Sequence, residues 1–138
     1  MYKCKHFKIY ELTDPVTYKA YGENAWDFFT DEILMSIDGV RDFFGVSVTA
    51  NDWYWRGNLQ WRGYRPKWCQ IGATRSQHRI CNAVDCDIKG ISAEHARQEI
   101  VANKDDPRLQ HIMRLEGEVN WLHLDCKPTE NRIRVFNP

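Results

Sequence analysis

The chain has 138 residues, of which 43% are hydrophobic and 28% charged, a length and composition typical of one folded domain spanning residues 1–138. Its 19 basic and 19 acidic side chains leave a formal net charge of zero, so no global field attracts a polyanion and nucleic acid is not expected as a partner. No apolar run is long enough to cross a membrane, and no apolar segment follows the basic N-terminus, so the sequence predicts neither a membrane span nor a signal peptide and places the protein in the cytoplasm on synthesis.

The N-terminal segment predicts one extended stretch and one short helix. The apolar residues of Phe7–Leu12 favour a short strand or an extended tether. Asp14 followed by Pro15 is a typical N-cap and first-turn pair. A short helix is therefore expected to begin at this pair and to end before Gly22.

The next segment predicts the clearest helix of the chain. After Thr30, acidic residues occupy the first turn, apolar residues recur every three or four positions, and Gly45 marks the end. This pattern indicates an amphipathic helix that covers a core. Residues 46–50 alternate apolar and polar side chains and predict a strand. Residues 51–75 predict a long irregular loop, and loops of this length are more often functional than idle.

The second half of the chain predicts a helix among four strands. Residues 83–88 favour a strand, and Ser92 is the expected N-cap of a helix that continues to about Val101. Three further strands are expected within residues 112–115, 119–126 and 133–136 and complete an antiparallel set. The predicted fold class is α+β, an antiparallel sheet with helices packed on one side.

The five cysteines form an odd set without any CxxC pair. They are Cys4, Cys69, Cys81, Cys86 and Cys126. A structural zinc finger and a fully paired disulfide framework are therefore not expected. Small buried thiols are expected instead, because free cysteine is among the most buried residue types.

Three separated residues predict a metal site. His78 and Asp85 lie seven positions apart, and His123 follows near the C-terminus. Two imidazoles and one carboxylate are ligands that Zn²⁺ accepts, and three protein ligands leave the fourth tetrahedral position open for water. The pattern therefore favours metal-assisted hydrolysis.

Three motifs in order resemble a known family. They are Gly63-Tyr64-Arg65, then Ser76-x-His78-x-x-x-x-Ala83-x-Asp85, then Trp121-x-His123-x-Asp125. The set is similar to the zinc metallopeptidases that include D-Ala-D-Ala carboxypeptidases and phage peptidoglycan endopeptidases, whose fold is shared with the signalling domain of hedgehog proteins. The resemblance extends from the first long helix to the last strand and is strongest to small single-domain members from phages and gut bacteria.

The resemblance implies an activity and a role for each motif residue. His78, Asp85 and His123 would bind one Zn²⁺ per chain, and Arg65 would bind the substrate's carboxylate as a bidentate guanidinium clamp. The substrate would be the stem peptide of peptidoglycan, cleaved by a monomer that acts on the cell wall after release or from a virion. The remaining motif residues have supporting roles: Ser76 and Trp121 would contact the substrate, and Asp125 would orient a ligand histidine.

Two positions depart from the family pattern. Cys81 stands where glycine is usual, so a residue with a Cβ is expected to adopt a conformation that glycine reaches most easily. Asn120 stands where many members carry a glutamate as general base, and an asparagine amide cannot take a proton from water. The candidate replacements are Glu116, which a hairpin would fold over the metal, and Glu118, with His111 as a further candidate.

Several alternatives stay open at the level of sequence. The first is that the chain is a catalytically impaired zinc-binding module for a peptide or protein partner, which Asn120 favours. The second is whether the enzyme would be a carboxypeptidase or an endopeptidase. The third concerns Trp53, Trp55 and Trp61, which would either stack on a glycan or peptide or form the hydrophobic base of their loop.

Overall fold

Three helices and five strands build the fold in the computed structural model, which describes all 138 residues. The helices are α1 (Pro15–Tyr21), α2 (Asp31–Phe44) and α3 (Ala93–Ala102). The strands are β1 (Val48–Thr49), β2 (Ala83–Ile88), β3 (Arg114–Glu116), β4 (Leu122–Asp125) and β5 (Arg134–Phe136). The predicted α+β class is confirmed. None of the helices combines the length and the apolar character that a membrane crossing requires.

Each helix begins at the residue that the sequence predicts as its N-cap. The side chains of Asp14, Thr30 and Ser92 each accept a hydrogen bond from the backbone N–H three residues later, which satisfies one of the unpaired donors of the first turn. Helix α2 ends at Gly45, whose φ of 68° places it in the left-handed region that glycine adopts without strain. These local signals position α2 and α3 against the sheet.

The segment Phe7–Leu12 is not a strand, and that prediction is wrong. Residues Ile9–Glu11 form one turn of 3-10 helix, closed by a hydrogen bond of 2.7 Å from the backbone N–H of Lys8 to Glu11 Oε2. Ile9 and Leu12 are both buried. Side chains three residues apart align on one side of such a helix, so this turn buries both residues together.

The five strands lie in the order β1-β2-β4-β3-β5. Neighbouring strands are antiparallel except β3 and β5, which are parallel, so the expectation of a wholly antiparallel sheet is wrong at this edge. The reason is that β2 and β3 already occupy both sides of β4. After β4 the chain reverses direction and pairs with the outer side of β3, which runs the same way.

The alternation of side chains divides the sheet into two unlike faces. One face carries buried apolar residues that join the core of α2 and α3: Val84, Cys86, Leu115, Leu122 and Leu124. The opposite face carries charged and polar residues: Asp85, Arg114, Glu116, His123 and Asp125. The helices cover only one face of the sheet, so the polar residues of the other face are available to form a functional site.

Candidate metal centre

The structure brings His78, Asp85 and His123 together in one buried group. Asp85 on β2 and His123 on β4 are directly opposed cross-strand partners. His78 lies in the 3-10 helix Gln77–Ile80 that precedes β2. One ligand atom from each of the three side chains lies within 4.8 Å of the others, and all three residues are buried. This group can hold a metal ion.

The short helix that carries His78 is capped at both ends by residues that the sequence analysis singled out. Ser76 is its N-cap, and its Oγ accepts a hydrogen bond of 3.2 Å from the backbone N–H of His78. Cys81 is its C-cap with a φ of 55°. It therefore adopts the left-handed conformation that the family resemblance implies for this position. Ser76 therefore positions a metal-ligand candidate directly, whatever it contacts in a substrate.

His78 presents a free lone pair to the group. Its Nδ1 lies 2.8 Å from the carbonyl oxygen of Gly63, and since a carbonyl only accepts, Nδ1 carries the proton and Nε2 the lone pair. Nε2 is buried, makes no hydrogen bond, and lies 3.2 Å from Asp85 Oδ2. Two acceptors at this separation repel each other unless a proton or a cation lies between them. The site therefore fits a metal ion.

His123 lies between two carboxylates. Its Nδ1 is 2.8 Å from Asp85 Oδ1 and its Nε2 is 2.8 Å from Asp125 Oδ2. Burial alone would lower the pKa of His123, but the hydrogen bonds to Asp125 and Asp85 outweigh it and raise the pKa to about 9. For Asp85, burial acts to raise the pKa, and the nearby imidazoles His78 and His123 more than offset it and hold the pKa well below its usual range. The Asp85 carboxylate therefore stays negatively charged, and the neighbouring His123 imidazole favours its positively charged form.

Asp125 occupies the orienting position that the resemblance implies. It is fully buried, and Arg114 donates two hydrogen bonds to its carboxylate at 2.9 and 2.8 Å. The backbone N–H of Lys127 donates a third at 3.1 Å. A carboxylate fixed in this way accepts the Nε2 proton of His123 and leaves Nδ1 to bind metal, an arrangement common around metal-ligating histidines.

The buried group opens into a pocket of about 540 Å³, a size typical of small-ligand sites. Four residues named from the sequence line it: Arg65, Ser76, Glu116 and Trp121. The register of β3 with β4 pairs residues 114 with 125 and 115 with 124, so Glu116 continues this pairing opposite His123. The indole Nε1 of Trp121 is buried without a hydrogen-bond partner.

The other candidates for the general base lie elsewhere. Glu118 lines a separate hollow beside α3. Asn120 lines a small cavity on the helix side of the sheet. His111 borders a hollow that also includes Tyr2 near the N-terminus. Of the acidic and imidazole candidates named from the sequence, the structure therefore brings Glu116 alone to the pocket.

Arg65 touches the metal-ligand group itself, which sequence reasoning missed. Its Nη2 donates to Asp85 Oδ2 at 3.1 Å and its Nε to the carbonyl of Trp61 at 2.8 Å. Burial lowers the pKa of Arg65, and Asp85 acts in the opposite direction. Gly72 faces Nη1 so closely that a Cβ there would lie 2.4 Å away. The guanidinium is therefore held in place beside the pocket.

Among the basic residues of the pocket wall, sequence reasoning missed two, Arg114 and Lys127. A signal for both exists in the chain. Arg114 stands two positions before Glu116 and Lys127 two positions after Asp125, so the period of a strand places each beside a residue already identified.

Comparisons of the chain with protein-family models, with curated proteins and with solved structures returned no match. The family resemblance of the three motifs and the hedgehog-like form of the fold therefore stay predictions.

Proposed function

We propose that this chain is a zinc-dependent peptidase that cleaves a peptide bond in the stem peptide of peptidoglycan. The observation that carries the proposal is the buried His78, Asp85 and His123 group, with ligand atoms within 4.8 Å of one another, at the base of an open pocket. Two imidazoles and one carboxylate match the ligand sets of catalytic zinc sites. The three motifs supply the substrate class, and the protein would act on the cell wall after release or from a virion.

Glu116 is the proposed proton carrier. A Zn²⁺ bound by the three ligands would lower the pKa of a coordinated water to about 7 and polarise the scissile carbonyl. Glu116 lies on the same face of the sheet as His123 and lines the pocket. Its carboxylate forms no salt bridge in the protein, so it is free to accept a proton from the attacking water and pass it to the leaving amine.

Arg65 is the proposed contact for a substrate carboxylate. Its Nη2 and Nε are already committed to Asp85 and to the carbonyl of Trp61, which holds the guanidinium plane fixed. Nη1 makes no hydrogen bond with the protein, and Arg65 is one of the residues that line the pocket. A preorganised donor of this kind binds a carboxylate without losing side-chain freedom.

A second function, a zinc-binding module without catalysis, has one specific observation in its favour. Asn120, which stands at the family's usual general-base position, lines a cavity on the helix side of the sheet and contributes nothing to the pocket. If Glu116 does not carry the proton, the same ligands would bind zinc in a pocket that holds a peptide without cutting it.

The test is cleavage of purified peptidoglycan and of a D-Ala-D-Ala-terminated muropeptide by the zinc-loaded protein. His123→Ala and a chelated sample serve as controls, and the metal content of each sample is measured. Metal-dependent cleavage by the wild type alone supports the peptidase and identifies its bond. One zinc per chain without cleavage of either substrate would overturn the peptidase and leave the binding module.

The proton carrier is tested with a matched pair of variants. Glu116→Gln and Glu118→Gln make the same change at the end of β3 and two residues later in the following turn, and only Glu116 lines the pocket. We expect kcat to fall about 100-fold or more in Glu116→Gln, the scale of lost general-base catalysis, and to be unchanged in Glu118→Gln. Equal rates in the two variants would exclude Glu116 from this role.

A further inference from the structure

We infer that the pocket selects a stem peptide that carries a second free carboxylate, on a residue about two positions from the cleaved bond, and that Arg75 and Lys127 bind it. This inference rests on the proposed function and extends it to the class of stem peptide. It starts from the charges that line the pocket. It does not involve the first carboxylate, which is assigned to Arg65.

The pocket holds more positive charge than its own acids neutralise. Four basic side chains line it, Arg65, Arg75, Arg114 and Lys127, together with three acidic ones, Asp85, Glu116 and Asp125. Arg65 pairs with Asp85, and Arg114 pairs with Asp125. Arg75 and Lys127 form no salt bridge, and a bound Zn²⁺ would add two further positive charges. In a chain of zero net charge, this is a local excess that favours an anionic ligand.

The two unpaired cations belong to segments that meet in space. The backbone N–H of Asn82 donates to the carbonyl of Gln77 at 3.0 Å, and the carbonyl of Asn82 accepts from the backbone N–H of Cys126 at 3.2 Å. Arg75 lies two residues before Gln77, and Lys127 directly follows Cys126. Both side chains are exposed. They therefore lie at the same end of the pocket and can approach one carboxylate together.

The separation along β4 sets the distance between this end and the metal ligands. His123 lies on β4, and Lys127 follows four residues later, beyond Asp125 at the strand's end. An extended chain rises about 3.3 Å per residue, so their Cα atoms are separated by at most roughly 13 Å. The flexible stem of a lysine extends back over part of that distance. A peptide lying along β4 would thus place a residue about two positions from the cleaved bond within reach.

Glu116 lies away from this end, which keeps the two charges apart. It lies opposite His123 in the pairing of β3 with β4, whereas Lys127 lies beyond Asp125 at the end of β4. A substrate carboxylate near Arg75 and Lys127 therefore avoids the one unpaired acid of the pocket. The polarity of the pocket also orients the substrate, since an anionic group is favoured at one end and disfavoured at the other.

The test compares two synthetic pentapeptides that differ in one group. Both have the sequence L-Ala-γ-D-Glu-X-D-Ala-D-Ala, where X is diaminopimelic acid with its side-chain carboxylate either free or amidated. Dissociation constants are measured by equilibrium titration of zinc-loaded protein that carries Glu116→Gln, so that the peptides are cleaved slowly during the titration. Cleavage of both peptides by the wild type is followed in a separate experiment. Arg75→Ala/Lys127→Ala is compared with Lys19→Ala/Lys89→Ala, which removes the same charge at exposed positions outside the pocket.

We expect the free acid to bind about three- to tenfold more tightly than the amide, the scale of two exposed ion pairs. The ratio of the two dissociation constants, amide over free acid, should fall to about one in Arg75→Ala/Lys127→Ala and persist in Lys19→Ala/Lys89→Ala. A ratio near one in the parent protein, or a ratio that survives the pocket double variant, overturns the inference. Binding decides this inference and cleavage decides the proposed function, so the two can fail separately.

Discussion

At the scale of single residues, His123 is the group whose charge depends most on its neighbours. Its imidazole lies 2.8 Å from a carboxylate on each side, and its pKa is raised to about 9 by these hydrogen bonds against the effect of burial. Without metal, this histidine is therefore positively charged at neutral pH. The positive charge occupies the place that a metal ion takes when it binds.

We predict that zinc binding at pH 7 releases at least one proton per chain, because His123 must lose its proton before Nδ1 can bind metal. The binding affinity should rise with pH until the pH passes about 9, where the metal-free His123 is already neutral. Calorimetry in two buffers of different ionisation enthalpy measures the release. Asp125→Asn, which removes one of the carboxylates that raise the pKa, should release fewer protons. A binding enthalpy that is the same in both buffers would contradict the prediction.

Gly63 is a second residue whose surroundings explain its type, because a side chain at this position would clash with the neighbouring backbone. Its carbonyl accepts the Nδ1 proton of His78, and a Cβ on it would lie 2.0 Å from the backbone carbonyl oxygen of Leu12. We predict that Gly63→Ala moves this carbonyl and weakens zinc binding about 10- to 100-fold, the effect of losing a ligand's orienting partner. Competition with a chromophoric chelator measures the affinity. At Gly90 a Cβ meets no atom within 4 Å, and the strain of an alanine comes only from the local φ of 76°, outside the pocket. Gly90→Ala should therefore keep the parent affinity for zinc, and equal affinities for both variants would exclude the orienting role.

At the scale of elements, Arg97 on α3 links the helix layer to the loop between β3 and β4. Its Nη1 donates to the carbonyls of Glu116, Val119 and Trp121 at 3.3, 3.1 and 3.2 Å. Its Nη2 pairs with Glu94 on the same helix at 3.0 Å. The side chain is buried. One arginine thus connects α3 to Glu116 at the end of β3 and to the turn that follows it.

We predict that Arg97→Met destabilises the fold by about 2–4 kcal/mol, because three carbonyls lose their donor and are not all reached by water. Urea unfolding followed by tryptophan fluorescence measures the change. Gln98→Met, an exposed neighbour on α3, should lie within about 0.5 kcal/mol of the parent. If the two variants unfold at the same urea concentration, the loop does not depend on Arg97.

At the scale of the whole molecule, the metal-ligand group joins segments that are distant along the chain. His78 precedes β2, Asp85 lies on β2, and His123 lies on β4 after α3 and β3. The unfolded chain does not hold these three side chains together. A metal ion that binds only the folded state therefore stabilises the fold in proportion to its affinity.

We predict that free zinc at about 100 times its dissociation constant adds about 2.7 kcal/mol to the free energy of unfolding. For a domain of this size, each kcal/mol raises Tm by roughly 3–5 °C. Differential scanning calorimetry with and without a chelator measures the shift. Asp85→Asn should remove most of it, because the carboxylate ligand is lost. A chelator that leaves the Tm of the parent unchanged would show that the group binds no zinc under those conditions.

The sequence by itself determined the features that depend on neighbouring residues. Asp14, Thr30 and Ser92 predict the helix starts, and Gly45 predicts the end of α2. Such signals are readable because the hydrogen bonds and backbone angles involved lie within one turn of the chain. The sequence also predicts that His78, Asp85 and His123 form one metal site, and the structure places one ligand atom of each within 4.8 Å of the others.

Only the tertiary structure decided the features that depend on which strand edge is free and which loops meet. It made β5 parallel to β3, placed Glu116 in the pocket and Glu118 outside it, and brought Arg75 and Lys127 to one end. The turn between β3 and β4 separates two glutamates that differ by only two positions in sequence. The physical reason is that these contacts join residues far apart along the chain, so their energies depend on the packing of the whole sheet and leave no periodic trace in the local sequence.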